Sequence, residues 1–158
     1  MKKLISVIAI FCMANIAYAG QEIVGAFGVR LGDTVDDSME FVEENDLGEL
    51  IYEFTPEKPN DFFSEYWLFA THKTKKIMRI KASHLYPNED RCADKRSVIW
   101  TAIKRKYGAE HPVIQDRRIE AWCKYRNSNG YHLWIKYEDD ILKEQSKVEK
   151  AETISDSL

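Results

Sequence analysis

The sequence predicts an α+β fold: an antiparallel sheet of four to five strands, two main helices packed on one face, and one disulfide fastening helix to sheet. Three observations carry this. Residues 65–72 with 76–83, and 120–126 with 131–137, are pairs of alternating apolar stretches joined by turns, and they read as two hairpins. Between them, from Asn88 or Asp90 to Tyr107, Ile99, Ala102 and Ile103 recur at helical spacing before Gly108, a residue suited to a left-handed C-cap. Two cysteines, Cys92 and Cys123, fall on that helix and on the second hairpin.

Taken in chain order, the first residues, MKKLISVIAIFCMANIAYAGQE, join a basic start to an apolar run and a small-x-small site at Ala17–Ala19, the pattern of a secretory signal peptide over residues 1–19. The run is shorter than the roughly 20 residues a spanning helix needs. Cys12 follows Phe11, where a lipoprotein signal wants a small residue, so an unlipidated periplasmic or secreted protein without stable membrane insertion is expected. Removing the signal takes Lys2 and Lys3 with it, so 23 basic side chains become 21 against 26 acids, a net charge of −5. That balance argues against nucleic acid as a partner. The remaining 139 residues of the 158 suit one core, a single domain over 20–150 with a frayed tail at 151–158.

The stretch GAFGVRLGDTVDDSMEF (25–41) reads as a short strand at Val29 and Leu31, a turn at Gly32, and a helix capped at Thr34 with Val35, Met39 and Val42 on its inner stripe. A phosphate-binding reading of the glycines fails on charge, because Asp33, Asp36 and Asp37 stand where the anion would go. LIYEFTP (50–56) follows as a strand ended by Pro56. The second hairpin turns at Asn127–Gly130, and burial selects the register that sets Cys123 opposite Leu133 and Trp122 opposite Trp134. The same sorting puts Tyr66, Leu68 and Ala70 with Met78, Ile80 and Ala82 in the first hairpin. From Asp140 onward a weakly amphipathic helix is expected.

Exported thiols tend to pair, and with Cys12 removed only Cys92 and Cys123 remain, so one disulfide is expected. No Cys-x-x-Cys spacing is present to favour redox chemistry.

Sorting the strands leaves a second sheet face carrying Trp67, Phe69, Arg79, Lys81, Trp122, Lys124, Arg126, His132, Trp134 and Lys136. Aromatic rings interleaved with cations make a docking surface, and this one is locally basic within an acidic chain, which suits an acidic protein partner in the cell envelope or an anionic glycan. The competing reading is that long basic stems shield aromatics on a solvated face. Catalytic motifs are absent: His72, His84, His111 and His132 lack metal-site spacing, Asp139–Asp140 is too short for a calcium loop, and no serine sits in a nucleophile elbow. No cofactor or metal is expected.

The segment FGVRLGDT (Phe27–Thr34), a strand and glycine turn entering a capped helix, followed by later strands and a cysteine pair, resembles small exported bacterial proteins of the SmpA/OmlA and β-lactamase-inhibitor-like group. The resemblance implies a sheet that presents an aromatic surface to another protein, for inhibition in some members and envelope assembly in others. The expected function is therefore a periplasmic binding module of inhibitor or immunity type. An envelope assembly factor is the first alternative and a small hydrolase the second.

Overall fold

The computed structural model describes residues 25–157 except 58, 112, 113, 115, 117 and 127–129, so the signal-peptide segment and the Asn127–Asn129 turn lie outside the described residues. Among the described residues two helices and two antiparallel sheets make an α+β fold. A two-stranded ribbon pairs β1 (Gly25–Ala26) with β2 (Val29–Arg30). The main sheet has six strands: β3 (Glu40–Glu44), β4 (Leu50–Glu53), β5 (Glu65–Ala70), β6 (Ile77–Tyr86), β7 (Ile119–Tyr125) and β8 (Tyr131–Glu138). Their spatial order is β3-β4-β5-β6-β8-β7. Helix α1 (Glu89–Tyr107) separates β6 from β7, and α2 (Asp140–Ser155) follows β8.

Both hairpins take the register that burial selects. Leu68 pairs with Ile80 and Tyr66 with Ala82; Cys123 pairs with Leu133 and Trp122 with Trp134. Leu68, Ile80, Ala82 and Leu133 are fully buried on one face. Fully burying a Leu or Ile side chain contributes roughly 1.5–3 kcal/mol, so a slip of one residue, which would expose all of them together, is strongly opposed.

Helix α1 lies against this face. The Asn88 side chain accepts the Arg91 backbone N–H at 3.0 Å to start it, and Gly108, at φ 89°, ends it. Its buried residues Cys92, Ile99, Ile103 and Tyr107 join Ile119, Ala121, Leu133 and Ile135 in one cluster. Cys92 and Cys123 are bonded, fixing the helix start to β7. The indole N–H of Trp100 donates to the Ala121 carbonyl at 3.1 Å further along the same strand.

The β1–β2 ribbon closes the other end of the core. Its turn residues Phe27 and Gly28 both have positive φ, 57° and 87°, and the Phe27 ring meets Tyr66 and Phe63 edge-on at 5.1 and 5.7 Å. The glycines of this stretch therefore serve chain geometry: a Cβ on Gly25 would sit 1.9 Å from the Val29 carbonyl oxygen.

Two expectations are corrected. The main sheet has six strands rather than four to five, and the segment after Thr34 is the extra strand β3, not a helix, so of the two helices expected on the core face α1 alone is found there among the described residues. Residues 33–44 carry six acids and no base, which repel along a helix, whereas pairing with β4 satisfies the backbone and lets Phe41 meet Tyr52 edge-on at 5.5 Å. Val35 and Met39 still reach the core, but Val42 is exposed. The strand and glycine turn of FGVRLGDT are thus present without the helix after them. Helix α2 contributes no residue to either core cluster and is held by polar contacts: Glu149 accepts the backbone N–H groups of Lys73 (2.7 Å) and Thr74 (3.2 Å), and Lys150 pairs with Glu44. It runs to Ser155.

The cysteines enclose a separation of 31 residues. Replacing both by alanine is expected to lower unfolding free energy by about 3 to 4 kcal/mol on the loop-entropy account. Urea titration of the oxidised protein and the double variant, with equal m-values, measures it.

Candidate functional site

On the face opposite α1, register places side chains in rows across the strands. Glu40, Glu53, Trp67, Lys81, Lys136 and Glu120 form one row; Ser83, Trp134 and Trp122 form the next. Trp67 and Trp134 stand two strands apart, with Ser83 on β6 directly opposite Trp134. Because Ser83 is small and fully buried, its hydroxyl held by Glu65 at 2.7 Å, the two indoles close over it and stack at 5.4 Å between centroids. Trp134 also stacks on Trp122 at 6.3 Å and on His132 at 5.8 Å. The result is a ladder of three tryptophans centred on Trp134, each half-buried.

The cations divide into two groups. Arg79 is buried and fully engaged: its two terminal nitrogens donate to Glu49 at 2.9 and 3.0 Å, and its Nε pairs with Glu138. Lys136 lies 3.0 Å from Glu120 and 3.2 Å from Glu138, which Lys143 of α2 also approaches at 3.1 Å. Burial alone would raise the Glu138 carboxyl, but Arg79 outweighs it, with Lys136 and Lys143 adding, and holds the group down at about 2. The Arg79 guanidinium in turn keeps its charge more firmly than usual, since its carboxylates outweigh the burial that opposes it. Phe69 is buried beneath this cluster, with the Arg79 and Lys81 cations 4.8 and 4.7 Å from its ring centre.

Lys81, Lys124 and Arg126 form the second group. Among the described residues none of the three has a carboxylate within ion-pair distance. With Trp122, His132 and Trp134 they line an open cleft of about 400 Å³. Burial, and next the charge of Arg79, pull the Lys81 ammonium below the ordinary lysine value. A negative group entering the cleft would relieve that penalty. The Nδ1 of His132 is buried without a hydrogen-bond partner among the described residues.

The residues singled out from the sequence thus occupy one face, in two parts. Trp67, Trp122, Trp134, Lys81, Lys124 and Arg126 are accessible in and around the cleft, whereas Phe69, Arg79 and Lys136 belong to the ion-paired end. Sequence reasoning missed the acids of that end. Continuing the β8 alternation from Trp134 and Lys136 by two residues would have found Glu138; Glu49 arrives from a turn and had no periodic signal. Among the described residues no helix is long and apolar enough to cross a membrane, and no group of three or more His, Cys, Asp or Glu is arranged to hold a metal ion. No family model, curated protein or solved structure matches this chain.

Because the Glu138 carboxyl titrates lower in the folded protein than its ordinary 4.5, it stabilises the fold above that pH, and the contribution is lost as pH falls from about 4.5 toward 2. Urea midpoints at pH 7 and pH 3 should therefore fall further for the wild type than for Glu138→Gln, which is less stable at pH 7 by an amount of order 2 kcal/mol. Glu149, also held low because its hydrogen bonds outweigh its burial, leaves a smaller acid dependence in both.

Proposed function

We propose that this protein is an exported binding module of the bacterial cell envelope, of inhibitor or immunity type, that docks onto an acidic surface of a protein partner through the Trp67–Trp134–Trp122 ladder and the cleft beside it. The observation that carries this reading is the pairing of three contiguous, half-buried tryptophans with three cations that have no carboxylate partner among the described residues. Tryptophan and arginine are the residue types most enriched at binding hot spots, and cations lacking internal partners lose less on desolvation when the incoming surface supplies carboxylates.

The arrangement of the rings favours a protein over a glycan. A sugar ring binds by lying on an open aromatic face, and here the indoles spend part of their faces on one another. What remains are ring edges, indole N–H groups and lysine or arginine heads, which suit acidic and apolar side chains.

The partner should be recoverable from envelope extract with the tagged protein, and mass spectrometry of the captured species identifies it. Trp134→Ala, at the centre of the ladder, is expected to weaken capture by about thirtyfold, the loss typical of a hot-spot tryptophan, with Trp67→Ala and Trp122→Ala following. Lys124→Ala and Arg126→Ala should act more weakly and lose their effect at high salt. Undiminished capture by all three tryptophan variants, each with native circular dichroism, would remove this face as the docking surface.

A further inference from the structure

The six-stranded sheet has two edges, β3 and β7, and they differ in what a copy of the same strand would meet there. β3 reads Glu-Phe-Val-Glu-Glu, with every residue exposed and a bulge between Phe41 and Glu43. Two β3 strands laid antiparallel about Val42 would oppose Glu40 and Glu44 twice, like charge on like charge, so this edge is protected against pairing with itself.

β7 reads Ile-Glu-Ala-Trp-Cys-Lys-Tyr. About Trp122 it is self-complementary in charge: in an antiparallel pair of β7 strands, Glu120 faces the partner's Lys124 and Lys124 faces the partner's Glu120, both on the tryptophan-bearing face. Glu120 meets Lys136 at 3.0 Å on its own sheet, and exposed Lys124, brought opposite the partner's Glu120, would gain the ion pair it lacks among the described residues. Beside this edge runs an open groove of about 470 Å³ lined by Trp100, Ile114, Ile119, Glu120, Ala121 and Trp122. The Trp100 indole uses one lone pair of the Ala121 carbonyl, and a carbonyl oxygen has a second for an added strand.

We infer that two copies of this chain pair through their β7 edges about a two-fold axis at Trp122, forming one continuous antiparallel sheet. Closed two-fold pairing is the commonest symmetry of soluble oligomers. The stack Trp67–Trp134–Trp122 then continues through the axis into the partner's stack, since residues directly opposite across an antiparallel pair are in side-chain contact. Edge pairing takes up Lys124 and leaves Trp67, Trp134, Lys81 and Arg126 open on a face of doubled length, so the dimer does not depend on the docking role. A seven-residue strand pair is a small contact beside the roughly 1,200 Å² or more of a standard interface, so a weak dimer is expected.

Sedimentation velocity of the purified protein over about 1 to 100 μM reads this directly. The wild type should pass from monomer to dimer. Lys124→Glu and Glu120→Lys, each of which opposes like charges at both contacts, should each weaken dimerisation by about tenfold or more. An equimolar mixture of the two should dimerise again, because every contact in the mixed pair is then of opposite sign. Lys124→Gln, which removes the charge without adding repulsion, should fall between wild type and Lys124→Glu and remains informative should Glu120→Lys fail to fold. Amide exchange over residues 119–125 should slow as concentration rises. The inference is overturned by a wild type that stays monomeric throughout, by dimers indifferent to Lys124→Glu and Lys124→Gln, by folded reversed variants whose mixture does not recover, or by open-ended growth, which would mean β3 adding to β7.

Discussion

The register between β6 and β8 is the constraint on which the rest of the molecule depends. With Ala82 opposite Ile135 and Ser83 opposite Trp134, Ile80, Ala82, Leu133 and Ile135 face α1 and the β1–β2 ribbon, and Trp67, Trp122 and Trp134 face away. Strand alternation makes this a single choice rather than many. The same register puts the small Ser83 where Trp67 and Trp134 must meet, so the aromatic ladder is a consequence of how the core is packed.

Chemistry on the outer face is decided by which cations have acids beside them. At the end where α2 begins, Arg79 and Lys136 are matched by Glu49, Glu120 and Glu138, and a buried guanidinium is stable there only because both carboxylates are in place. This end anchors α2, which brings no apolar side chain to either core cluster. Toward the Arg126 end Glu65 is engaged by the Ser83 hydroxyl, and among the described residues Lys81, Lys124 and Arg126 have no carboxylate within ion-pair distance. A face that looks uniformly basic in the sequence is therefore half structural.

Where local pattern and tertiary packing agreed, the fold was legible. Alternation in residues 65–83 and 120–137, the Asn88 cap and the pair Cys92–Cys123 all point to the arrangement found, down to Trp122 opposite Trp134. Where they conflicted, the sequence misled: Val35, Met39 and Val42 have helical spacing, yet residues 40–44 pair with β4 because an open strand edge and mutual repulsion among acids outweigh a three-residue stripe. The α2 contacts were not legible at all, since Glu149 binds backbone N–H groups 75 and 76 residues away, and polar contacts at that range leave no periodic trace. For the candidate site, membership of the face was readable and the ion pairing within it was not.

The central claim is that three tryptophans stack as one array on the uncovered sheet face while the fourth, Trp100, sits on α1 apart from them. Far-ultraviolet circular dichroism measures this most directly, because stacked indoles couple excitonically and isolated ones do not. The wild type should show a tryptophan couplet that Trp134→Phe abolishes and Trp100→Phe leaves intact. A wild-type spectrum without a couplet, or one that survives Trp134→Phe unchanged, would contradict the account.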